Sequence, residues 1–232
     1  TVPLDAARFG KGLSWKDYMA QMGDTRARTE DNYGKATLTD DERSFFKNPA
    51  LGKVKYAVML AENWCGDVHR NSPLLAHICE AMPNCELRVF FRDQNLDITD
   101  LYLNNGYRSI PVIVFFDQNW NEIGHWIERA SAATQKMMAL RAKTVDVAPA
   151  DQQEAATAEF RKQYQALHEG PNSPWREAVK EVRQVLATRL DPADDRRGAA
   201  ADRRAVADRH VEAADGVDHL LEPVEVDHDV VL

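Results

Sequence analysis

Trp64-Cys65-Gly66-Asp67-Val68 is the segment whose residue types and spacing point to chemistry. A cysteine attacks as its thiolate. The thiolate is favoured where a helix begins, because the first N–H groups lack internal partners and that end of the helix carries positive potential. A strand predicted to end at Ala61 and a helix predicted from Cys65 to about Met82 put this sulfur at such a start. His69 and Arg70 favour the anion and Asp67 opposes it, so the expectation is a depressed pKa on an accessible, redox-capable thiol. A two-cysteine site would carry its second thiol at position 68, where it attacks the mixed disulfide made by the first and frees the product. Val68 has no sulfur, so an exchange begun at Cys65 needs an outside thiol to finish. The bland reading of Cys65 is a small packed residue at a strand end.

The other candidate groups carry less. Cys79 cannot replace the missing thiol, since the helical stretch from Cys65 spans about 21 Å and a disulfide needs its Cα atoms within about 7 Å. Cys85 opens the next predicted strand, and both read as core cysteines. Cys65, Asp67 and His69 do not share a helix face, so no metal site is expected there, and His210, His219 and His228 receive no role. Trp64 and Trp126 read as structural, with Trp64 also lining the approach to Cys65. Arg108 reads either as a holder of a substrate carboxylate or as a solvated loop arginine. No Gly-rich phosphate loop and no Gly-x-Ser-x-Gly motif occurs.

The elements that must position Cys65 follow from periodicity. Residues 1–52 read as a helical, loop-rich extension, with Ser14 as an N-cap and a second short helix over 40–46. Residues 53–144 form the central domain. Its strands are predicted over 53–61, 85–92, 111–116 and 122–127, with helices over 65–82, 96–103 and 131–143. Pro73 should kink the first helix, Asn104-Asn105-Gly106 stops the second, and residues 117–121 turn the last two strands into an antiparallel hairpin. The expected result is an α/β domain with a mixed four-stranded sheet flanked by helices, the helical crossovers joining parallel strands. Residues 151–190 form a C-terminal helical appendage in which Phe160, Tyr164 and Leu167, then Val179, Val182, Val185 and Leu186, recur at helical spacing.

The chain has 232 residues and a formal net charge of −8. Five Arg against eight Asp and three Glu in residues 193–232 supply −6 of that, which leaves −2 on the rest. The body is thus nearly neutral. No basic patch with interleaved aromatics suggests nucleic acid, and no apolar run approaches the roughly 18 residues of a membrane span. Three cysteines are too few for a disulfide framework, which favours a reducing cytoplasm. Residues 191–232 read as a disordered or frameshifted tail. From Arg189 onward only residue types encodable by codons beginning in G or C occur, a pattern that reading a GC-rich gene out of frame produces.

Taken together, Trp64 to Asp67, Glu86 to Asp93 and Asn105-Gly106-Tyr107-Arg108-Ser109-Ile110-Pro111 resemble the thioredoxin family, in particular a bacterial group with a Trp-Cys-Gly-Asp motif. The resemblance spans about residues 13–190 and implies a thioredoxin-like fold with N- and C-terminal helical extensions. It implies a redox role for Cys65 and a cis-proline at Pro111, with Trp64, Gly66, Ile110 and Pro111 contacting substrate. The Ile110 backbone would then pair with an extended segment as an added strand. Two departures stand out. Val68 replaces the resolving cysteine, and Met59 stands where thioredoxins keep a buried aspartate that helps deprotonate it. Without a thiol to activate, a buried acid would only cost desolvation.

The expected function is that of a monothiol thioredoxin-like redox protein. Cys65 forms mixed disulfides with a protein or a low-molecular-weight thiol or disulfide, and an external thiol such as glutathione releases it. No resident cofactor, nucleic acid or membrane partner is expected. The alternative is a redox-silent thioredoxin-like peptide-binding module. An iron–sulfur carrier ranks below both, because Asp67-Val68 departs from the monothiol glutaredoxin motif.

Overall fold

The computed structural model describes residues 3–169 and 173–187; the tail from 191 and its three histidines lie outside them. The chain opens with α1 (Ala6–Phe9), α2 (Trp15–Ala20), α3 (Arg26–Lys35) and α4 (Asp40–Phe46). Side-chain caps fix three of these starts, the first through Asp5, which accepts from the Arg8 N–H at α1. Ser14 accepts from the Asp17 N–H at α2, and Thr39 with Glu42 makes a reciprocal capping box at α4.

The central sheet begins with β1 (Tyr56–Ala61), whose last five residues are all buried, as a strand covered on both faces must be. The motif helix α5 (Gly66–Ala81) leads to β2 (Glu86–Phe91), and the single-turn α6 (Leu96–Thr99) leads to β3 (Val112–Phe116) and β4 (Glu122–Ile127). The order is β2-β1-β3-β4. β1 and β2 run parallel, whereas β3 is antiparallel to both β1 and β4. The mixed four-stranded sheet flanked by helices is therefore the expected thioredoxin-like fold.

One expected detail changes. The crossover through α6 does not join parallel strands, because a one-turn helix never runs the length of the sheet. β3 consequently starts at the end where β2 stopped, which is also where β1 hands over to α5. This reversal brings Ile110-Pro111 beside Cys65.

Both extensions close on this core. Leu13 makes an antiparallel bridge to Val89 on the outer side of β2, with N···O distances of 2.9 and 2.8 Å. Gly12 permits the approach, since a Cβ there would sit 2.5 Å from the Phe90 ring. After β4 come α7 (Ser131–Thr144), α8 (Gln153–His168) and α9 (Pro174–Ala187). Ala178, Val179, Val182 and Leu186 of α9 join the main core, while Phe160 and Tyr164 of α8 pack with Val145 as a smaller cluster.

Candidate functional site

Cys65 is the N-cap of α5, in an extended conformation with φ −81° and ψ 124°. The Ile110–Pro111 peptide is cis, and the Cys65 Sγ donates to the Ile110 carbonyl at 3.7 Å. The sulfur, the helix start and the proline loop are thus brought together. The sulfur is nevertheless not exposed. Cys65 retains only 2% of its surface, and Gly66, Ile110 and Pro111 are buried as well. Of the residues expected to meet substrate, Trp64 alone is open, at 43%.

The expected depression of the Cys65 pKa is reversed. Burial, followed by the Asp67 carboxylate, pushes the thiol up to about 12. The N–H groups of Val68 and Asp67 and the Arg129 charge pull the other way. They do not prevail, and Sγ makes no capping hydrogen bond. The helix-end argument holds in sign but is overridden in magnitude, because removing the anion from water costs more than a partial positive charge returns.

Both extensions make contacts with the residues of α5 that follow the motif. Pro73 has no N–H, so the carbonyl four residues earlier, that of His69, loses its helical partner. Asn32 of α3 supplies the missing donor, with Nδ2 2.8 Å from the His69 oxygen, and is itself held by Gln165 of α8 at 2.7 Å. Thr29 hydrogen-bonds the His69 Nδ1 at 2.9 Å. Trp175 of α9 donates its indole N–H to the Arg70 carbonyl at 2.8 Å. Burial holds the His69 imidazole down at about 4, with the Arg28 and Arg70 charges adding to the effect, so it is neutral at physiological pH.

A buried charge cluster also lies against the first turn of α5. Asp67 accepts from the Arg129 Nε at 3.0 Å and from its Nη2, and Arg129 also pairs with Glu128. The second Asp67 oxygen is 3.9 Å from Arg70 Nη1, whose guanidinium lies 4.7 Å from the Tyr164 ring centroid. Asn71 donates to the Glu128 carbonyl at 3.0 Å, tying the loop after β4 to the helix. Burial raises the Asp67 pKa against the opposing pull of Arg129 and Arg70. Burial lowers that of Arg70.

Sequence reasoning did not find Arg129 or Asn32, and it placed Tyr164 on a packing face without its contact to Arg70. Only the Asn32 role left a trace, since Pro73 announces a carbonyl in need of a donor without saying where the donor comes from. Tyr18 of α2 is also fully buried, and burial raises its pKa, with the Glu62 and Cys65 charges adding.

At the open side, Arg92 places its guanidinium 4.8 Å from the Trp64 ring centroid and donates to the Arg108 carbonyl at 2.9 Å. Arg108 itself is engaged by Asp100 at 2.6 and 3.0 Å. Tyr107 beside it is 62% exposed. Trp126 is buried and donates to Glu181. Among the described residues no group of three or more His, Cys, Asp or Glu is placed to hold a metal ion, and no helix is long and apolar enough to cross a membrane.

A parallel β1–α5–β2 unit, an antiparallel β3–β4 hairpin and a cysteine at the start of α5 facing a cis X-Pro peptide define a thioredoxin-like domain. A family model described as thioredoxin matches residues 12–163, and the chain belongs to that family. Among solved structures it is similar to a Pseudomonas aeruginosa protein of unknown function, at 17% identity and TM-score 0.52. It is also similar to an HIV epitope-scaffold, at 14% identity and TM-score 0.53. Each comparison covers 79% of this chain and 98% of the other, and at these identities the likeness concerns the fold. No curated protein matches the sequence.

Proposed function

We propose that the chain is a thioredoxin-like binding module that is redox-silent at rest. In this reading Cys65 is a neutral hydrogen-bond donor to Ile110, and the strip Trp64–Arg92–Arg108–Tyr107 meets an extended peptide. The observation that carries it is the buried thiol, pushed up to about 12. A thiol held that high carries very little thiolate at pH 7, which disfavours exchange in the resting protein. Trp64 and Tyr107 supply exposed aromatic area for a partner, and the guanidinium of Arg92 stiffens Trp64.

The test is the reaction of Cys65 with an aromatic disulfide from pH 6 to 11, in protein carrying Cys79→Ser and Cys85→Ser so that the signal has one source. The expected profile is near silence at pH 7 and a rise only in the alkaline range. Rapid reaction at pH 7 overturns the assignment. In parallel, the Trp64 indole N–H resonance is expected to shift on adding a mixture of extended peptides, and no shift at millimolar peptide removes the binding half.

A second reading is monothiol exchange, in which Cys65 forms a mixed disulfide that an external thiol such as glutathione resolves. It is supported by the N-cap position of the sulfur, with the Val68 and Asp67 N–H groups favouring the thiolate. It requires the buried Cys65 to become exposed first.

A further inference from the structure

The other end of α5 holds two cysteines that neither reading uses. Cys79 lies in the last turn of the helix and is buried, while Cys85 immediately precedes β2 and is half-buried. The chain folds back sharply between them. The Met82 N–H bonds the Cys79 carbonyl at 3.2 Å as the helix ends, and Asn84 takes a left-handed conformation at φ 61°. The turn sets the Cys85 thiol beside that of Cys79. Both are free in the structure.

We propose that Cys79 and Cys85 form a reversible intramolecular disulfide, a second redox site at the far end of the motif helix. The oxidant is a low-molecular-weight disulfide, and it arrives at Cys85, the more accessible of the pair. The Cys85 thiolate attacks one sulfur of the small disulfide, forming a mixed disulfide and expelling one small thiolate. The Cys79 sulfur then attacks the Cys85 sulfur, forming the internal bond and expelling the second. The two cysteine protons pass to the two departing thiolates, so the protein loses two electrons and two protons and the small disulfide becomes two thiols. The neighbouring Cys85 thiol and burial together hold the Cys79 pKa well above its ordinary value, which makes Cys79 the second nucleophile rather than the first. The product ties the last turn of α5 to the start of β2.

The experiment uses the full chain with Cys65→Ser, so its outcome does not depend on how Cys65 behaves. The native protein is equilibrated with oxidised glutathione, quenched with acid, unfolded, alkylated and weighed intact. The expected result is loss of the mass of two hydrogens and protection of both remaining cysteines from alkylation, reversed by dithiothreitol. Adding Cys79→Ser is expected to convert the product into a persistent glutathione adduct on Cys85. Two alkylatable thiols after equilibration, in protein that forms the bond readily once unfolded, overturn the proposal. So does internal bond formation that is no faster in the folded chain than in the unfolded one.

Discussion

The two ends of α5 carry cysteines in opposite circumstances. Cys65 has the position that fold and motif reserve for a nucleophile, yet it is buried and flanked by the buried Asp67. Cys85 follows the other end in a position that the motif does not assign to redox chemistry, and it is half-open beside a second thiol. The contrast teaches that a helix terminus supplies a modest bias, while the surrounding packing decides whether that bias is ever felt. Here the packing works against the motif cysteine.

The comparison breaks most severely if the charge cluster beside Cys65 is opened. Arg129→Ala leaves Asp67 buried without its main partner and is expected to cost about 3–5 kcal/mol, read by urea unfolding. Arg129→Met should recover part of the packing and none of the pairing. An unfolding midpoint equal to that of the unmodified protein would show that the cluster is not held as described.

A second test uses pH. His69 and His168 are both held down at about 4 by burial, against an unfolded value near 6.5. Above the unfolded value both states are neutral and nothing is lost. As pH falls below 6.5 the unfolded chain takes up protons that the folded one refuses, so stability falls and continues to fall down to about pH 4. Each histidine accounts for about 3 kcal/mol of that loss at most. Asp67, with its raised pKa, acts in the opposite sense at the acid end. The difference in pH slope between the protein and its His69→Asn variant isolates one contribution, and identical slopes would contradict the burial of His69.

Asn32→Ala removes the donor that serves the His69 carbonyl and is expected to destabilise by about 1–3 kcal/mol. Asn32→Asp should be no better, because a carboxylate cannot donate. Equal stability of all three proteins would mean that the orphaned carbonyl finds another partner.

The smallest effect sharpens the comparison directly. Asp67→Asn removes the carboxylate charge that adds to burial in raising the Cys65 pKa, so the thiol is expected to fall from about 12 while staying above the physiological range. Thiol titration by ultraviolet absorbance in the variant lacking Cys79 and Cys85 reads the shift. A value reaching the physiological range would make the charge, rather than burial, the dominant influence.

The fold was legible in the chain because its signals are local. The apolar run of β1, the turn at residues 117–121 and the Ser14 cap each declare themselves within a few residues. Crossover direction was less so, since it depended on how short α6 would be. The identity of the sulfur and its proline partner could be read from Trp64 to Val68 and Ile110-Pro111, but its surroundings could not. Arg129 lies 62 positions from Asp67 and Asn32 lies 37 from His69, and nothing nearby in sequence marks either as a neighbour. An electrostatic expectation built on the residues of one helical turn therefore kept Asp67, credited a His69 that is neutral in the structure, and missed both Arg129 and the burial.

The proline inside α5 has one more consequence. By removing a rung from the backbone ladder, Pro73 makes the motif helix dependent on a side chain that precedes the whole sheet in the sequence. A fragment cut at residue 53, where periodicity draws a natural boundary, would keep every strand and still lack the amide that completes its central helix. Excision at that point should yield a loosened product rather than a minimal functional unit.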